Sequence, residues 1–144
     1  MNALYLTSIG EAAGKSALCA ALGRILKAHD RKVGYLKPVA VVAEKADASD
    51  KDTQFIKLTL ALEEPVELLC PASLSTKDFL ASDNEKEPAR LNKAKEAYAQ
   101  ISQGKDVVLI EGVGGFKAGG AQALAGSKVV ETLGAKAIII VSYE

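Results

Sequence analysis

The stretch SIGEAAGKSAL, residues 8–18, closes on Gly14-Lys15-Ser16, the second half of a phosphate-cradling loop. Phosphate chemistry calls for those residue types in that order. Glycines let backbone N–H groups approach the anion, a lysine reaches the outer phosphates, and a hydroxyl ligates Mg2+. The opening glycine of the common spacing would fall six residues before Lys15, where this chain has Ile9. Gly10, Glu11, Ala12, Ala13, Gly14, Lys15, Ser16 and Ala17 form the candidate cradle, and Lys15 is a candidate catalytic cation. A plain glycine turn carrying a solvated lysine is the alternative.

Three further features belong beside that loop. VVLIEGVGG reads as a buried strand delivering Glu111 at its carboxyl end, followed by a glycine turn at Gly112, Gly114 and Gly115. Parallel α/β sheets bind ligands at the carboxyl ends of their strands, where an acid can hold Mg2+ directly or through water. In GYLKPV, Lys37 interrupts an apolar strand and is costly to bury without a phosphate or carboxylate partner. It is the second candidate catalytic lysine; a snorkelling side chain at a strand end is the other option. In DASDKDTQF, either Asp50 or Asp52 could complete a metal site.

The elements that must position these residues are legible as apolar periodicities. Near-continuous apolar runs at 3–7, 33–39, 107–110 and 137–141 predict strands covered on both faces. Helical spacing predicts helices over 16–28, 88–102 and 127–133, the last closed by Gly134. Strands alternating with helices predict an α/β fold with a parallel sheet, flanking helices and right-handed crossovers. The polar stretches 44–52 and 75–87 read as solvated loops. At 144 residues the chain is expected to be one nucleotide-binding domain, 1–144. It stops just after a strand, AIIIVSYE, so an incomplete C-terminus and fusion to, or association with, further domains are expected. That strand's open edge could also pair with a second copy to give a homodimer.

Composition narrows the partners. Acidic and basic residues balance at 18 each, which argues against nucleic acid or an anionic membrane as partner. The apolar runs are too short to span a bilayer. Two cysteines, Cys19 and Cys70, lack metal-ligand spacing and suit a reduced, cytoplasmic setting. His29, the single histidine, falls near a helix end and suits capping; Cys19 and Tyr98 suit packing.

Residues 8–16, KPV at 37–39, an Asp before a helix at 52 and EGVGG at 111–115 resemble, in order and rough spacing, the dethiobiotin synthetase-like branch of the P-loop NTPases. That branch uses a phosphate loop one residue longer, which places its opening glycine at Ser8. The resemblance implies ATP and Mg2+ as cofactors and Ser16, Asp52 and Glu111 as metal ligands. It also implies Lys15 at the phosphates and Lys37 near the transferred phosphate and an acidic substrate. Base-contacting segments of that branch follow its fourth strand.

A finer likeness is to the N-terminal dethiobiotin-synthetase-like region of phosphotransacetylase-related proteins. It is carried by GKSALCAALGRIL, KVGYLKPV, DTQFIKLTLALEEPVELLCP and KVVETLGAKAIIIVSYE. It implies an accessory or regulatory nucleotide-binding domain. The alternative is an ATP-dependent ligase that activates a carboxylate or carbamate, of the dethiobiotin synthetase or cobyrinic acid a,c-diamide synthase type. KPVAVV lacks the hydroxyl with which dethiobiotin synthetases help bind substrate, and Ala12 and Ala13 offer no side chain to read one. A relic loop on an interaction domain is the third option, and the intact Lys15, Ser16 and Glu111 count against it.

Overall fold

The structure is a computed structural model that describes residues 2–9, 14–42, 50–77, 85–115 and 126–141. Four strands form an all-parallel sheet: β1 (Asn2–Ser8), β2 (Val33–Leu36), β5 (Val107–Gly115) and β6 (Lys136–Ile140), in the order β2-β5-β1-β6. Between β2 and β5 lie β3 (Ala40–Val42) and β4 (Ser73–Ser75), which pair with each other in a second, two-stranded parallel sheet. The helices are α1 (Lys15–Ala28), α2 (Lys51–Thr59), the single turn α3 (Val66–Leu69), α4 (Glu87–Ile101) and α5 (Gly126–Leu133). The α/β parallel-sheet architecture expected from the apolar runs is therefore present, with helix ends within a residue of those expected.

Every residue of β2 is buried, and Leu6, Tyr35, Leu36, Val108, Leu109 and Ile110 are sealed completely. That suits a sheet with helices on both faces. On one face Tyr5 reaches Gly126 at the start of α5, and Gly34 faces Ile101 of α4. Side chains alternate along a strand, so Leu6, Tyr35 and Glu111 turn to the other face, where α1 lies.

Two expectations change. The apolar run 33–39 is not one strand: it breaks at Lys37-Pro38, and Ala40–Val42 leaves for the second sheet. The Lys37 N–H donates to Leu69 O at 2.8 Å, and Pro38 has no N–H, so neither can extend the ladder to β5. Conversely, β5 does not end at Ile110; it runs on through the glycines to Gly115. Its register against β1 slips between Leu6↔Glu111 and Ser8↔Gly115, a bulge that glycines absorb readily. Gly112 is required for space: a Cβ there would lie 2.5 Å from the Tyr5 hydroxyl oxygen and 3.1 Å from Leu6 O.

The polar stretch 44–52 is only partly a described loop. Asp50 caps α2, accepting the Thr53 N–H at 2.9 Å, and Lys51 and Asp52 already belong to the helix. Asp52 thus sits in the first turn rather than before the helix. Residues 43–49 and 78–84 lie outside the described residues. Among the described residues no helix is long and apolar enough to cross a membrane.

Candidate functional site

The carboxyl ends of β1, β2 and β5 converge on the start of α1. Gly14 occupies the cap position in the left-handed region, φ 75°, where glycine carries no steric penalty. The first N–H groups of a helix have no partner within it, and α1 has no acidic residue in its first turn. Its positive end is therefore suited to an anion. Lys15 Nζ donates to Ser8 Oγ at 3.0 Å, so the position that replaces the opening glycine touches the loop lysine. Ile9 N–H donates to Ile140 O at 3.1 Å, which ties the start of the loop to β6. Ala17 is exposed on the first turn; the expected cradle residues Gly10, Glu11, Ala12 and Ala13 lie outside the described residues.

Glu111 stands opposite Leu6 on β5 and is 2% exposed. Its Oε1 accepts the Ser16 hydroxyl at 2.7 Å, and its Oε2 accepts the Tyr35 hydroxyl at 2.7 Å. Lys37 Nζ lies 3.9 Å from Oε1. The same ammonium donates to Asp50 Oδ1 at 2.9 Å, to Asp50 Oδ2 at 3.0 Å and to Asp52 Oδ2 at 3.1 Å. Lys37 does not snorkel to solvent: it is 8% exposed and ringed by three carboxylates.

That ring sets the electrostatics. Burial pulls the Lys37 ammonium down, but Glu111, Asp50 and Asp52 more than offset it and hold the group above the ordinary lysine range. Burial, reinforced by the neighbouring Glu111 charge, pushes the Tyr35 hydroxyl well above the ordinary tyrosine value. Cys19 lies under the site, and burial with the Glu111 charge pushes its thiol up to about 12. It is a packing residue without thiolate character, as expected.

The donor set suits a hard cation. Ser16 Oγ, Glu111 Oε1 and the Asp52 carboxylate are all oxygens, and Ser16 and Glu111 already touch. Among the described residues no group of three or more His, Cys, Asp or Glu side chains is arranged to hold a metal. Mg2+ does not need one, since it keeps several waters and takes one or two carboxylates plus substrate phosphates. The residue pattern alone leaves Asp50 and Asp52 equivalent and the family resemblance points to Asp52; their surroundings also separate them. Both Asp50 oxygens are committed, to Lys37 and to the N–H and hydroxyl of Thr53. The Asp52 side chain is 54% exposed and is the one able to turn toward a metal.

Tyr35 is the participant that sequence did not single out. The available signal was its spacing: two residues before Lys37, it shares a strand face with the lysine. A tyrosine in an apolar strand is otherwise ordinary.

A strand, a Gly-Lys-Ser turn and a helix at the carboxyl edge of a parallel sheet, with an acid from the adjacent strand against the serine, define a P-loop nucleotide-binding fold. The chain belongs to the AAA domain family, whose model matches residues 2–144. Its likeness to curated proteins is to ATP-dependent dethiobiotin synthetases. It is 28% identical over 120 residues to the one from Caldicellulosiruptor saccharolyticus, covering 81% of this chain and 49% of that protein. To that of Methanococcus vannielii it is 30% identical over 115 residues, covering 78% and 51%. To that of Methanocaldococcus jannaschii it is 27% identical over 143 residues, covering 95% and 64%. It is thus a dethiobiotin-synthetase-like P-loop NTPase by family, and it spans about half to two thirds of the length of these relatives.

Proposed function

We propose that the chain binds ATP with Mg2+ as an accessory or regulatory nucleotide-binding module, of the kind resembled in phosphotransacetylase-related proteins. The observation that supports it best is the contact of Ser16 with Glu111 beside Lys15 at the start of α1. Lys15 and the N–H groups of residues 14–17 hold the phosphates. Ser16, Glu111 and Asp52 hold the cation, which when bound would neutralise charge on the outer phosphates. Lys37, released from Asp50 and Asp52, turns toward the terminal phosphate. Cys19 and Cys70 are free thiols, in keeping with a reducing cytoplasmic setting. The exposed apolar edge of β6 offers a seam for a second copy.

A second reading, an ATP-dependent ligase activating a carboxylate or carbamate, is favoured by the names of the relatives and by Lys37. An ADP-release assay with Mg2+ and ATP separates the two. The module reading predicts saturable binding without multiple turnover. Turnover stimulated by a carboxylate- or carbamate-bearing compound would replace it with the ligase.

A further inference from the structure

We propose that Tyr35 is a positioning residue for Glu111, its hydroxyl holding Oε2 so that Oε1 is presented to Ser16 and to a divalent cation. This rests on the reading that Glu111 is a metal ligand. Tyr35 stands opposite Leu109 on the neighbouring strand, and Glu111 follows two residues on, along the same face. The ring is long enough to carry its hydroxyl along that face to within 2.7 Å of Oε2. The residues flanking Tyr35, Gly34 and Leu36, point to the opposite face, so they cannot replace it.

Burial gives the contact its weight. Tyr35 is fully sealed and Glu111 is 2% exposed, so water does not compete for Oε2. The terminal torsion of a glutamate carboxylate is broad and nearly two-fold. Without a donor on Oε2, the described residues that would set the plane of the carboxylate are Ser16, through its hydroxyl, and Lys37, with Nζ at 3.9 Å, both on the Oε1 side. A donor on Oε2 fixes which oxygen faces the phosphate loop. Ligating carboxylates are commonly held by such an outer hydrogen bond, and removing it costs about 10–100-fold in metal affinity.

The test is calorimetric titration of Mg2+ into the ATP-saturated chain, for wild type, Tyr35→Phe and Glu111→Gln, together with ATP titrations in EDTA. Tyr35→Phe is expected to raise the half-saturating Mg2+ concentration about 10–100-fold while leaving metal-free ATP binding within about twofold. A role in packing alone would not split the two quantities. If Glu111→Gln shifts the Mg2+ midpoint and Tyr35→Phe does not, the Tyr35 proposal is overturned and the Glu111 reading stands. If neither shifts it, both are overturned.

Should Tyr35→Phe fail to fold, NMR of the wild-type chain carrying 13Cζ-tyrosine decides. The four tyrosines are assigned by replacing the other three with Phe. The Tyr35 resonance should move with the Mg2+ titration, and a resonance that stays still overturns the proposal.

Discussion

At the scale of single residues, Lys37 is the cation that ties the carboxylates of the site together. Its side chain and that of Asp50 are both nearly buried, and the ammonium answers Asp50, Asp52 and Glu111 together. Lys37→Met should lower stability by about 3 kcal/mol in metal-free buffer, because removing one member of a buried ion pair leaves the rest uncompensated. Mg2+ should then raise the melting midpoint of the variant more than that of the wild type, since a cation can replace the lost charge. Chemical denaturation with and without Mg2+ measures both effects, and a variant as stable as wild type would mean that the carboxylates do not depend on Lys37. The role of Lys37 was legible in sequence because a charge in an apolar strand demands a partner. The partner itself was not, since Asp50 and Asp52 differ only in what the fold builds around them: a helix cap for one, solvent for the other.

Among the elements, the four strands of the main sheet and helices α1, α4 and α5 could be read from sequence because each carries a sustained apolar period. β3, β4 and α3 could not, since three or four residues are too few for any period to show. The break after Leu36 was hidden by Leu36 and Val39, apolar residues on either side of Lys37-Pro38, and the length of β5 by glycines that suit a turn as well as a bulged strand. The bulged end of β5 yields an element-scale prediction. Gly112→Ala should lower stability by about 1–3 kcal/mol through overpacking against Tyr5 and Leu6 O. Adding Tyr5→Phe should recover part of that loss, because it removes the hydroxyl oxygen lying nearest the new methyl group. Thermal melts of the two variants provide the comparison, and an undisturbed Gly112→Ala midpoint would show that β5 does not pass Tyr5 as described.

For the whole molecule, one consequence is pH dependence. Burial pushes Cys19 from 9.0 to about 12 and Cys70 from 9.0 to about 11, and Lys37 and Tyr35 also lie above their ordinary values. Above pH 9 the folded chain therefore holds protons that the unfolded chain has released. The stability from these groups is full below pH 9 and falls as pH rises toward 12. Melting midpoints should drop from about pH 9 upward, with a shallower initial drop in Cys19→Ala; a flat profile to pH 11 would contradict the buried thiols. A second expectation follows from the described site groups Lys15, Ser16, Lys37 and Glu111, which gather at the start of α1. ATP, GTP and inorganic triphosphate should bind within about tenfold of one another, equivalent to roughly 1.4 kcal/mol.

The most direct measurement of the central claim is calorimetry of Mg2+ and ATP with the wild-type chain and with Lys15→Ala. Saturable binding to wild type, weakened about tenfold or more in the variant by loss of one charge-assisted contact, is the predicted result. No binding at millimolar ATP, or equal affinity for both proteins, would contradict it.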